Sequence, residues 1–213
     1  MVALDDLLAL YEYFGYGGVF LMSFVIGILF FLPIPYFPVP LVASLNENLD
    51  PHLISLFSAI GAVAAKLIIF YASYYGRNIL SPKVRTKMLP LQRLLAKYGW
   101  GGAFIAALTP IPDDLVYIPL GLAKYSPWKF ATATFAGKFL FNEIIVLSAV
   151  YFGKPFVDRI ISESISPISL IIGAIFSVVV IGIIIYLFYK IDWGKVIGRW
   201  FPWAVDKSEE NNQ

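Results

Sequence analysis

The stretch Phe14-Gly15-Tyr16-Gly17-Gly18-Val19-Phe20 returns as Tyr98-Gly99-Trp100-Gly101-Gly102-Ala103-Phe104, and Pro33-Ile34-Pro35 returns in the same order as Pro110-Ile111-Pro112. Downstream, Pro51 matches Pro127, Gly61 matches Gly137 and Tyr75 matches Tyr151, each at an offset of 76 residues. A repeat whose apolar segments are broken by proline at matching places is the pattern of transporter-like membrane proteins, with the site where the broken segments meet.

Composition agrees. Of the 213 residues 59% are hydrophobic and 14% charged, against about a quarter charged in soluble domains. Apolar runs cover 16–45, 53–75, 99–122, 130–152 and 167–189, each near or above the roughly 20 residues that cross a bilayer as a helix. Two of them hold proline clusters, Pro33, Pro35, Pro38 and Pro40 in one and Pro110, Pro112 and Pro119 in the other. Continuous helical hydrogen bonding must fail there. The start, Met1-Val2-Ala3-Leu4-Asp5-Asp6, lacks a basic region and a small-residue cleavage site, so no processing is expected. With no cysteine, disulfides, thiol catalysis and thiolate metal sites are excluded.

Charge sets the expected topology. The first basic residue is Lys66, whereas 77–98 carries Arg77, Lys83, Arg85, Lys87, Arg93 and Lys97 with no acid. The positive-inside tendency puts that loop in the cytoplasm. Lys124 and Lys129 flank the end of the second proline-rich run, which therefore enters and leaves by the same face. If the first run does likewise from the other face, the two repeats are inverted. The expected fold is an all-α integral membrane protein: an inverted repeat of re-entrant hairpin plus transmembrane helix, with an additional C-terminal transmembrane helix. The divisions are an N-terminal interfacial segment at 1–13, repeat 1 at 14–77, a basic amphipathic segment at 78–97 kinked by Pro90, and repeat 2 at 98–153. A loop and last span at 154–190 and a cytoplasmic tail at 191–213 follow; its Trp193, Trp200 and Trp203 read as interfacial anchors, and 208–213 as disordered.

Ionisable groups inside spans are costly unless paired or hydrated, so each is a functional candidate. Lys66 and Arg77 are eleven residues apart, about three turns, and share a face of the 53–75 span; Lys138 and Asn142 are one turn apart on 130–152. The repeat offset puts these faces opposite each other, with Gly61, Ala62, Ala65, Ala136 and Gly137 allowing close approach. Glu143, five residues from Lys138, points away from it. Asp113 and Asp114 follow Pro112 at the presumed hairpin turn. Adjacent carboxylates in a desolvated turn repel, so at least one is expected to bind a proton reversibly unless Lys66, Lys138 or Arg77 compensates it. The structural alternative is that one Asp caps a helix starting at Leu115 and the other forms a buried ion pair. Charge compensation alone is the corresponding alternative for the lysines, and snorkelling for Arg77. His52, the only histidine, reads as an interfacial surface residue. No histidine cluster, serine triad, glycine-rich phosphate loop or metal-ligand spacing occurs, so no enzyme, metal or cofactor is expected, and no nucleic-acid partner.

These residues resemble the DedA family, also called the SNARE-associated Golgi or VTT-domain family, over 14–153. The resemblance rests on Pro33-Ile34-Pro35, Tyr75-Gly76-Arg77, the 99–104 segment, Thr109-Pro110-Ile111-Pro112 with Gly121, and Trp128-Lys129-Phe130 leading to Gly137. It implies opposed re-entrant loops and movement of lipids between leaflets, phospholipids in some members and undecaprenyl phosphate in bacterial ones, with a link to the proton-motive force. The family often has an acid by the first hairpin and an Arg-Phe-x-Pro-x-x-Arg pattern at the second. Here the first hairpin is uncharged and the second reads Ala107-Leu108-Thr109-Pro110-Ile111-Pro112-Asp113, so headgroup binding shifts to Lys66, Arg77 and Lys138, with Asn142 beside them. Asp113, Asp114 and Glu143 are the candidate proton-binding groups, and Pro33, Pro35, Pro110 and Pro112 form the hairpins. The function expected is a flippase or scramblase-like transporter of a phosphate-bearing lipid, such as a polyprenyl phosphate or phospholipid, in the plasma membrane of a prokaryote. The rivals are a proton- or cation-coupled small-solute carrier and a scaffold that transports nothing.

Overall fold

A computed structural model describes residues 2–28, 37–79, 81–109, 113–164 and 193–205, together with 171, 172, 175, 179, 183, 186 and 190. Pro33, Pro35, Pro110 and Pro112 lie outside the described residues, as do most of 167–189 and all of 208–213. Among the described residues every regular element is helical: α1 (Val2–Ile28), α2 (Pro38–Ala43), α3 (Pro51–Gly76), α4 (Pro82–Lys87), α5 (Leu89–Leu108), α6 (Asp114–Leu122), α7 (Pro127–Phe152), α8 (Lys154–Ser164) and α9 (Trp193–Trp200), with single 3₁₀ turns at Arg77–Ile79 and Pro202–Ala204.

Local chemistry sets the boundaries. Asp50 caps α3 by accepting from the backbone N–H groups of His52 and Leu53, and Pro51 occupies the first turn, where its missing N–H costs nothing. Ser126-Pro127 opens α7 with the same residue grammar. α1 is broken at Gly15, whose φ of 54° and ψ of −133° suit glycine alone. The expected kink at Pro90 does not occur. The break falls at Met88, and Pro90 sits in the first turn of α5, which then runs unbroken through residue 98. The apolar face of that segment is covered by the C-terminal turn: Leu91 packs with Ile197 and Ala204, and Arg93 donates to the Ala204 carbonyl.

α3 and α7, both long and apolar enough to span a membrane, form the central pair. Contacts fall through α3 as they rise through α7, which makes them antiparallel: Phe70 stacks on Phe130 at 4.3 Å between centroids, Asn142 donates to the Ser55 carbonyl, and His52 meets Glu143. One apolar cluster joins them through α5 and α6 around Phe70, Tyr117, Leu120 and Phe130. A second joins them through α1 and α2 around Val19, Val39, Val42, Ile54 and Val146.

Lipid is as apolar as leucine, so helices in it associate by close packing of small residues more than by burying greasy ones. A Cβ built on Gly61 of α3 would lie 2.3 Å from the Phe20 carbonyl oxygen of α1, and one on Gly137 of α7 would lie 2.6 Å from the Phe104 carbonyl oxygen of α5. Gly121 brings α6 equally close to the backbone of α3 at Phe70. Overpacking such sites costs about 1–3 kcal/mol. Gly137→Val is expected to lower stability in detergent by that amount, read as the midpoint of thermal or denaturant unfolding. Gly17→Ala, with nothing within 4 Å of the added methyl, is expected to leave it unchanged or slightly raised.

Candidate functional site

α6 begins immediately after Asp113 and docks on α3, which delivers two adjacent carboxylates to the interface of the spans. Lys66 reaches them from α3. Its Nζ lies 3.1 Å from one oxygen of Asp113 and donates to both oxygens of Asp114 at 3.0 and 2.9 Å. Lys138 comes from α7, with Nζ 2.6 Å from the other oxygen of Asp113. The four side chains are only 12% (Lys66), 7% (Asp113), 15% (Asp114) and 5% (Lys138) exposed. Two ammonium groups and two carboxylates therefore make a buried cluster of zero net charge, with Asp113 bridging the two spans.

The compensation foreseen for the acidic pair comes from the two lysines. Asp113 occupies the cap position of α6 but makes no side-chain cap bond, because both of its oxygens face lysines. The capping alternative therefore gives way to the ion pair, and α6 starts at Asp114 rather than Leu115.

Other candidates lie apart from the cluster. Asn142, one turn beyond Lys138, is buried and donates to the Ser55 carbonyl at 3.2 Å. Glu143 turns away from Lys138, as its spacing requires, and pairs with His52 at 3.0 Å; the His52 side chain is 68% exposed and that of Glu143 14%. The second oxygen of Glu143 is buried, with no hydrogen-bond partner among the described residues. His52 is thus an ion-pair or hydrogen-bond partner as well as a surface residue. Arg77 stands at the opposite end of α3, where its guanidinium donates to the Gln92 side-chain oxygen once that amide is oriented to receive it.

Two polar features escaped the sequence reading. Ser23 and Ser58 hydrogen-bond at 2.9 Å inside the α1–α3 contact. Thr134, fully buried, has no hydrogen-bond partner for its hydroxyl among the described residues. Thr134 lies one turn before Lys138, so helical spacing from the lysine could have found it; the serines carry no such signal, being common in apolar spans.

Removing one member of a buried ion pair strands the other and costs about 3–5 kcal/mol, while replacing both by apolar groups of similar size can be nearly neutral. Lys138→Met is expected to destabilise strongly in denaturant or thermal unfolding. Combining it with Asp113→Asn is expected to recover much of that loss, giving a coupling well outside additivity.

Residues 48–152 match the family model of the VTT domain, a stretch that runs from just before α3 to the end of α7 and contains all four residues of the cluster. An uncharacterised protein of Methanocaldococcus jannaschii is 27% identical over 148 residues, which are 68% of this chain and 91% of that protein. No solved structure matches. The central helices, built around the Lys66–Asp113–Lys138 cluster, thus match the VTT domain, the domain of the DedA, or SNARE-associated, family of membrane proteins.

Proposed function

We propose that this protein moves a phosphate-bearing lipid, a polyprenyl phosphate or a phospholipid, between membrane leaflets. The observation that carries the reading is Asp113 held between lysines of two different spans. A phosphate oxygen offers those ammonium groups what the carboxylate offers, so a headgroup can take the place of Asp113 between Lys66 and Lys138. Charge balance then requires the displaced carboxylate to gain a proton or move to water, which couples headgroup entry to protonation of Asp113 or Asp114. Arg77 attracts the headgroup at one end of the path, Asn142 supplies a neutral donor, and Glu143 is the further proton-binding carboxylate at the other end.

The matching contacts of Gly61 with Phe20 and of Gly137 with Phe104 support an inverted repeat of hairpin plus span. Each contact joins the glycine of a span to the last residue of the aromatic-glycine stretch in its own repeat. On this reading Pro33, Pro35, Pro110 and Pro112 break the helices at the hairpin tips and supply free backbone groups along the path.

The test is transbilayer movement of labelled phospholipid and polyprenyl phosphate in proteoliposomes, with and without a pH gradient. Wild type is expected to accelerate one of them. Asp113→Asn and Asp114→Asn, each checked for folding, are expected to slow it by at least about tenfold, the effect of about 1.4 kcal/mol on a barrier. A gradient effect lost in the same variants establishes coupling. Failure of folded wild-type protein to move either lipid would overturn the proposal in favour of a small-solute carrier. Undiminished movement in both variants would remove the cluster from the path.

A further inference from the structure

A cavity of about 140 Å³ opens at the basic end of the spans, away from the buried cluster. Gln92 and Leu95 of α5 form one wall, Lys124, Tyr125 and Ser126 of the α6–α7 connection another, and Lys129 from the first turn of α7 completes it. Lys124, Lys129, Gln92 and Ser126 thus share the lining with Leu95, Ala96 and Ala123, and among the described residues no carboxylate lines the space.

The end of α6 places Lys124: its N–H donates to the Gly121 carbonyl and that of Tyr125 to the Leu120 carbonyl, the left-handed stop that closes many helices. Lys124 has φ of +57°, alone among described residues other than glycine in adopting a positive φ. The Lys124 ammonium rests 3.7 Å from the centroid of Tyr74 and 5.4 Å from that of Tyr75, held by ring faces rather than by an anion. Partial desolvation and then the charges of Arg77 and Arg85 lower the pKa of Lys124 below the ordinary lysine value. Lys124 and Lys129 line the cavity together, and an oxyanion in it can accept charge-assisted hydrogen bonds from both.

We propose that this cavity is a second, separate binding site for a phosphate-bearing anion, held by Lys124 and Lys129 with Gln92 and Ser126 as neutral donors. The site does not depend on lipid movement or on the Lys66 cluster. The phosphate could belong to a lipid headgroup or be free, and the two sources are distinguishable.

The full chain in neutral detergent, at constant ionic strength, is titrated with inorganic phosphate, with short-chain phosphatidate, and with a short-chain diacylglycerol as uncharged control. Acetylation of each lysine is followed by mass spectrometry, with exposed Lys154 as reference. Selective protection of Lys124 and Lys129 by phosphate and phosphatidate alike supports the site with free phosphate sufficient. Protection by phosphatidate alone supports it with a lipid as the source. Lys129→Gln, at an exposed position, is expected to weaken the protection of Lys124 by about tenfold through loss of one charge-assisted hydrogen bond, with the unfolding midpoint unchanged. No protection by either anion, equal protection by diacylglycerol, or unchanged affinity in Lys129→Gln would overturn the proposal. So would loss of protection in folded Asp113→Asn, since the anion would then occupy the buried cluster. Because the readout is binding without transport, failure of the lipid-moving reading leaves this result standing, and the reverse.

Discussion

The Asp113 carboxylate is the constraint on which the rest of the structure depends. Burying one ion in an apolar setting costs several kcal/mol that its partners must offset, and Asp113 draws those partners from both spans, Lys66 on α3 and Lys138 on α7. This fixes the depth and rotation of α3 and α7 relative to each other, and it fixes the start of α6 between them. An apolar residue at position 113 could slide along a greasy interface at little cost. A carboxylate with lysines on both oxygens cannot.

Satisfying that constraint requires backbones to come close. Gly121 lets α6 lie against α3 at Phe70, and the stacked rings of Phe70 and Phe130, with Tyr117 edge-on to Phe130, fill the space next to the charges. Gly61 and Gly137 then seat α1 and α5 on the outer sides of the same two spans. Small residues and aromatic packing here serve electrostatics: they keep water from replacing the lysine–aspartate contacts, while Asn142 donates to the Ser55 carbonyl elsewhere on the α3–α7 seam.

Charge is divided unequally along the seam. The centre is neutral because two lysines meet two aspartates. The end carrying Arg77, Arg85, Lys124 and Lys129 is positive and has a cavity that no acid among the described residues lines. A neutral interior next to a positive mouth attracts an anion to the boundary without trapping it inside.

Much of the architecture was legible in the chain because its signals are local. Length and hydropathy mark α3 and α7, whose starts at Pro51 and Pro127 lie two and three residues before the apolar runs, and the cost of a charge in lipid singles out Lys66, Asp113, Asp114 and Lys138 without knowledge of their neighbours. Helical spacing alone also separates Glu143 from Lys138. The pairings themselves were decided only in three dimensions: Asp113 shared between spans, Glu143 meeting His52 across 91 residues of chain, Arg77 directed to Gln92, and the α5 face covered by the C-terminal turn. Each depends on the rotation and depth of helices distant in sequence, which the Asp113 ion pairs and the backbone contacts at Gly61, Gly121 and Gly137 set together. The sequence determined which groups had to find partners; tertiary packing decided which partners they found, because only contact between helices brings opposite charges within hydrogen-bonding reach.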